Sequence, residues 1–93
     1  MTPKPDQLEV LHHPEEGRFE ILLERDRAVL EYRLDNNTIY FLHTEVPRKY
    51  EGKGIGSRLA RAGLDFARQN GYRIVAYCSF VDGYLSRHPE YLA

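Results

Sequence analysis

Glycine stands at every second position in Tyr50-Glu51-Gly52-Lys53-Gly54-Ile55-Gly56-Ser57. The segment before this loop is rich in β-branched and aromatic residues, and the one after it turns helical at Ile55. Without Cβ atoms, such a loop turns sharply and lets a ligand approach the backbone. Its N–H groups and the unpaired amides of the helix's first turn converge on one small volume. Together with the helix dipole they suit an anion. A Walker loop would end Gly-Lys-Ser/Thr, whereas this one ends Gly-Ile-Gly-Ser. The dinucleotide fingerprint places its third glycine one residue later, and needs a parallel βαβ unit with an acidic residue beyond it. Alternating glycines also occur in plain turns, so the loop alone leaves its ligand open.

Charge is distributed unevenly around the loop. Residues 1–47 carry five basic and ten acidic side chains, net −5, whereas residues 48–73 carry seven basic and two acidic ones, net +5. A basic segment centred on a glycine loop suits an anion with several phosphates, although any one of its arginines also serves as a solvated helix face.

The elements that must position the loop follow from periodicity. Residues 8–13, 18–24, 28–34 and 38–46 read as strands joined by short turns, of which Asp35-Asn36-Asn37 is the clearest. They predict an antiparallel meander. From Ile55, apolar or small residues recur at Leu59, Ala62, Gly63, Phe66 and Ala67, with Arg58, Arg61, Asp65 and Arg68 on the other face. Asn70-Gly71 supplies the stop. Residues 73–78 then predict a buried strand, and residues 82–88 a short helix before Pro89. The order ββββ-α-β-α gives an α/β or α+β domain with the loop near its centre. Residues 1–7 read as a flexible leader, and residues 8–93 as a single domain.

Several segments together resemble the GNAT acetyltransferase superfamily, and within it a compact subfamily of very short proteins. They are His43-Thr44-Glu45-Val46-Pro47, Tyr50-Glu51-Gly52-Lys53-Gly54, Cys78-Ser79-Phe80-Val81 and Arg87-His88-Pro89-Glu90-Tyr91. The match runs from about Val10 to Tyr91. The superfamily's signature, Arg/Gln-x-x-Gly-x-Gly/Ala, puts Gly54 and Gly56 in register and Glu51 where arginine or glutamine is customary. The compact subfamily shares that glutamate. The resemblance implies an antiparallel-rich mixed sheet with a central glycine-loop helix and a short C-terminal helix. It also implies acetyl-CoA as cofactor. Glu45 and Val46 would offer backbone groups to the pantetheine arm, and Gly52, Gly54, Ile55, Gly56 and Ser57 would hold the pyrophosphate. Lys53 and Arg58 would pair with phosphate oxygens, and the acetyl group would end near Thr44 and Cys78.

The same resemblance places Cys78 beside the acetyl group, where it is a candidate nucleophile carrying an acetyl intermediate; a lone cysteine is otherwise usually a small buried hydrophobe. Histidine ordinarily titrates near neutrality, which makes His43 a candidate general base. On regular alternation His43 and Glu45 share one face of their strand and Thr44 the other; a bulge, which GNAT folds often have here, would change that. Tyr84 lies where these enzymes often place a tyrosine that protonates the departing thiolate, and it is equally a helix aromatic packed on the sheet. His88 is weighed as a lesser candidate or as a packing residue. His12 and His13 adjoin Pro14 without a Cys, Asp or Glu at metal-ligand spacing, so no metal is expected.

Composition excludes several other classes. One cysteine in 93 residues rules out an internal disulfide framework, and no apolar run approaches the roughly 20 residues of a membrane span. A start without a secretory pattern and a reduced thiol point to the cytoplasm. The basic helix lacks interleaved aromatics, so nucleic acid is not an expected partner. The expected protein is a small N-acetyltransferase moving an acetyl group from acetyl-CoA to an amine, on a small molecule or a protein tail, as a monomer or weak dimer. The alternative is a CoA-binding module with little or no turnover. Only Pro14 to Gly17 separates the first two strands, where larger superfamily members insert helices that shape the acceptor site.

Overall fold

In the computed structural model, residues 8–92 are described, and the expected leader at 1–7 lies outside them. Five strands form one sheet in sequence order: β1 (Leu11–His13), β2 (Arg18–Leu22), β3 (Arg27–Asp35), β4 (Thr38–Glu45) and β5 (Arg73–Ala76). The first four pair antiparallel and β5 joins β4 in parallel. Helix α1 (Ile55–Gln69) makes that crossover, and α2 (Ser79–Arg87) follows β5. This is the mixed, antiparallel-rich α+β sheet expected from the sequence. No helix among the described residues is long and apolar enough to cross a membrane.

Hairpin chemistry sets the register. Asn36 adopts φ 55°, the left-handed conformation asparagine tolerates, and closes β3 onto β4 with Asp35 opposite Thr38. At the end of α1, the Asn70 side-chain amide donates to the Phe66 carbonyl at 2.8 Å, and Gly71 takes φ 67°. Both are helix-stop devices.

Paired residues put Phe19, Ile21, Ala28, Leu30, Tyr32, Ile39 and Phe41 on one sheet face, all buried. Leu59, Leu64 and Ala67 of α1 and Val81 and Leu85 of α2 complete a single core against that face. α1 lies close to the sheet because Gly63 has no side chain. A Cβ there would stand 2.8 Å from the Phe41 ring and 2.9 Å from a Leu30 methyl. The other sheet face carries Tyr40, His43, Glu45 and Val75, with Leu42 and Tyr77 exposed beside them. The rings of Tyr40 and Tyr77 stack there at 5.9 Å.

His12 and His13 separate to different surroundings. The His12 ring stacks on Phe19 at 4.0 Å, meets Phe66 edge-on, and bonds through Nε2 to the Tyr32 hydroxyl at 2.6 Å. His13 instead bonds to Glu20 at 3.0 Å, and Arg27 donates to the same carboxylate at 2.9 Å. Burial, with the neighbouring His13, lowers the His12 pKa against an opposing pull from Glu15. The folded protein therefore binds fewer protons at His12 than the unfolded chain. Stability is unaffected by this group above its ordinary value and declines as pH falls below it. The hydrogen bond from Arg27 is the main cause that lowers the Glu20 pKa. Its contribution is present above the ordinary carboxylate range and is lost at lower pH, as Glu20 protonates.

Two outcomes are expected. The thermal midpoint should fall as pH drops from about 7 to 5, and His12→Gln should flatten that decline while leaving the steeper loss at lower pH. Gly63→Ala should destabilise the protein despite its better helix propensity. Overpacking costs about 1–3 kcal/mol against a propensity gain of at most about 1 kcal/mol, and denaturant unfolding measures the balance.

Candidate functional site

The site begins where two parallel strands part. β4 and β5 pair from Thr38 opposite Arg73 to Phe41 opposite Ala76, after which β4 continues to Glu45 without a partner on that side. The Phe41 carbonyl accepts from both the Tyr77 N–H at 2.9 Å and the Cys78 N–H at 3.1 Å, which turns the chain out of the sheet and into α2. On the other side of β4, the ladder slips by one residue. Tyr32 pairs with Phe41 and Glu31 with His43, leaving Leu42 as an unpaired bulge. Without the bulge, His43 and Glu45 would lie on the same face as Phe41. With it, Thr44 takes the helix-covered face, opposite Leu30, and His43 and Glu45 take the open face.

The glycine loop faces this gap. Pro47 leads into a 3₁₀ turn, Arg48–Tyr50, which buries Tyr50. Gly52 and Gly54 adopt φ 77° and 81°. A Cβ at either would meet nothing within 4 Å, so these glycines answer to backbone conformation and border open space. Gly54 is the N-cap of α1, and no side chain caps the helix. The first intrahelical bond is from the Arg58 N–H to the Gly54 carbonyl, at 3.1 Å. The N–H groups of Ile55, Gly56 and Ser57 therefore have no partner within the helix, which is the arrangement an anion requires.

Between the loop and the free end of β4 lies a cavity of about 620 Å³, lined by Thr44 to Val46, Tyr50 to Gly52, Gly54 to Ser57 and Phe80. The lining combines the backbone of the loop and of the first helical turn with the apolar residues Val46, Tyr50, Ile55 and Phe80 and the carboxylates of Glu45 and Glu51. This pairing suits a ligand with a polyanionic end and a largely apolar, amide-bearing arm.

Similarity to known proteins agrees with this geometry. A family model described as GCN5-related N-acetyl-transferase matches residues 18–93. The chain belongs to the GCN5-related N-acetyltransferase family. Protein NATD1 of Danio rerio is 33% identical over 91 residues, covering 92% of this chain and 83% of that one. Protein NATD1 of Mus musculus is 35% identical over 85 residues, covering 88% and 77%. A GCN5-like protein of Staphylococcus aureus, solved by NMR in solution, superposes with a TM-score of 0.72 at 34% identity, covering 90% of this chain and 83% of that chain.

For a member of this family, the residues expected to act are only partly brought together. Thr44, Glu45, Val46, Gly52, Gly54, Ile55, Gly56 and Ser57 all line the cavity. Lys53 sits in the loop with its side chain exposed and outside the lining. Arg58 is also outside the lining. Its guanidinium donates to the Leu8 carbonyl at 3.0 Å, because its place in the second turn of α1 faces the N-terminal segment. Cys78 is buried behind the lining, its Sγ 2.9 Å from the Thr44 hydroxyl, either of which can donate. Thr44 lines the cavity and Cys78 does not.

His43 and Tyr84 do not line the cavity either. The His43 side chain is exposed on the open face, opposite Glu31. Tyr84 is buried in the core, its ring stacked on His88 at 4.4 Å. The reason is a shift in the helix start. The sequence suggests α2 from Asp82 and a strand reaching Cys78. The strand ends at Ala76, however, and the helix begins at Ser79 with Cys78 as its N-cap. Phe80 is thereby brought to the loop, and Tyr84 lies a full turn farther along. Tyr50, Glu51 and Phe80 are the lining residues outside the set expected from the sequence. Tyr50 adjoins the loop directly, and Phe80 falls two residues after Cys78, so position was the only available signal.

The expected outcome concerns the thiol. Cys78 should react slowly with an aromatic disulfide reagent in the native protein. Thr44→Ala should speed that reaction by opening the path from the cavity, as a stopped-flow absorbance trace would show.

Proposed function

We propose that this protein transfers an acetyl group from acetyl-CoA to an amine. The observation carrying this reading is the continuous cavity from the uncapped N-terminus of α1 to the gap where β5 leaves β4. The residues fit the cofactor: open space stands beside Gly52 and Gly54, unpaired amides stand at Ile55, Gly56 and Ser57, and an unpaired strand edge runs along Thr44 and Glu45. Acetyl-CoA would supply an acetyl group activated as a thioester.

The chain's own residues would divide the work by location. The first-turn amides of α1 bind the pyrophosphate, with the helix dipole in their favour. The free edge of β4 bonds the amides of the arm and directs the thioester to Thr44. A backbone N–H at the bulged end of β4 stabilises negative charge on the thioester carbonyl oxygen as the amine attacks. Lys53, on an exposed side chain beside the loop, is available to the phosphates; Arg58 is engaged elsewhere. Glu45 and His43 share the open face from which an acceptor reaches the gap, and His43 is proposed to take the amine's proton there. Direct attack needs no enzyme nucleophile, and the thiol of Cys78 stands behind Thr44, so the direct route is favoured over an acetyl-Cys78 intermediate.

Isothermal titration with acetyl-CoA and CoA tests the reading. Micromolar binding that Gly54→Glu abolishes is the expected result, since the new carboxylate would stand among the anion-binding amides. The absence of binding to the native protein would overturn the reading. Turnover with a panel of amines separates an enzyme from a binding module: acetyl-CoA bound but consumed with no acceptor would leave only the module. Cys78→Ala should retain transfer, whereas loss of transfer together with an acetylated Cys78 in the intact-mass spectrum of the native protein would restore the covalent route.

A further inference from the structure

The cavity contains a side chain that neither the core nor the loop accounts for. Phe80 is 40% exposed in the first turn of α2 and is absent from the core that buries Val81, Tyr84 and Leu85 beside it. Single exposed apolar side chains are common; what distinguishes this ring is that it lines the cavity and sits against Gly56. Its buried part lies directly over the start of α1. A Cβ built on Gly56 would stand 2.7 Å from Phe80 Cζ and 3.1 Å from both ring Cε atoms.

This separates the roles of the loop's glycines. Gly52 and Gly54 have positive φ and open space beside them, whereas Gly56 has no positive φ and is crowded by one ring. Gly56 is thus a glycine because Phe80 crosses it. The remaining surface of the ring lines the cavity together with Val46, Tyr50 and Ile55.

We propose that Phe80, seated on Gly56, is the binding residue for the pantetheine arm of the acyl-CoA, and that the missing side chain of Gly56 serves the arm by seating that ring while its amide stays with the phosphates. The inference rests on the acyl-CoA reading. The ring lines the cavity that also holds the first-turn amides and Thr44, and the pantetheine arm must traverse that cavity. Covering an aromatic surface that is otherwise wet favours binding by the hydrophobic effect. A nucleotide without the arm gains nothing from it.

Two ligands tell these apart: CoA, and adenosine 3′-phosphate 5′-diphosphate, the same nucleotide without pantetheine. In titrations, Phe80→Ala should weaken CoA by about tenfold and leave the arm-less nucleotide within about twofold. Phe80 lies outside the core, so the variant should keep the native thermal midpoint. Gly56→Ala should weaken CoA in the native background and have little further effect when combined with Phe80→Ala, because the ring that its methyl strikes is gone. Equal weakening of both ligands by Phe80→Ala, or unchanged CoA binding, would overturn the proposal. So would a Gly56→Ala loss of the same size in both backgrounds, which would show that the added methyl does not act through the ring. Failure of the native protein to bind CoA would remove the acyl-CoA reading itself, whereas native binding that is indifferent to Phe80 would remove only this inference.

Discussion

One carbonyl group governs the geometry of the site. Phe41 ends the parallel ladder by accepting from two successive amides, those of Tyr77 and Cys78. The strand that would otherwise have continued beside β4 therefore becomes the start of α2. β4 continues to Glu45 with an unpaired edge, the bulge at Leu42 turns Thr44 to the helix-covered face, and the cavity opens between that edge and the glycine loop. An unpaired strand edge is ordinarily a liability. Here it borders a cavity whose other wall presents unpaired helix amides. The two features that leave backbone groups unsatisfied in this region face the same volume.

The domain's economy of length has a physical consequence. With only a 3₁₀ turn between β1 and β2, both helices described pack on one sheet face, and the opposite face carries Tyr40, Leu42, His43, Glu45, Val75 and Tyr77 toward solvent. A sheet one layer deep depends on one core, so close approach of α1 matters. Gly63 permits it against Phe41 and Leu30, the residues beside and opposite the functional strand end. Packing and site are therefore coupled through Phe41. Its ring supports α1 while its carbonyl ends the ladder.

Charge plays a narrower part than its distribution along the chain suggests. The basic segment from residue 48 to residue 73 surrounds the loop in sequence, yet Arg58 turns to the Leu8 carbonyl and Arg68 lies over the Tyr91 ring at 4.3 Å. No lysine or arginine among the described residues lines the cavity, whereas Glu45 and Glu51 do, so an anion there would depend on backbone amides. Amides held by a helix terminus need no side-chain ordering to meet an anion, whereas flexible surface side chains lose rotamer freedom when they do. With Glu51 where arginine or glutamine is customary, the proposed anion site rests on the loop's conformation.

The sequence by itself determined the meander, the central helix and the loop. These rest on local signals: strand alternation, the Asp35-Asn36-Asn37 turn, the Asn70-Gly71 stop and glycines whose positive φ only backbone freedom allows. It also determined most of the cavity lining, because residues 44–57 are contiguous and fold as one strand–turn–helix unit. Only the tertiary structure decided what lies across from them. The end of β5 at Ala76 depends on a hydrogen bond to Phe41, some thirty-five residues earlier, and no periodicity in residues 73–82 records it. That single non-local event moved the start of α2 from Asp82 to Ser79. It placed Phe80 in the cavity, sent Tyr84 into the core and seated Cys78 behind Thr44. Arg58 and His43 followed the same rule. Residue type suggested their chemistry, but the direction of a side chain is settled by the helix face and by the bulge, which depend on partners distant in the chain.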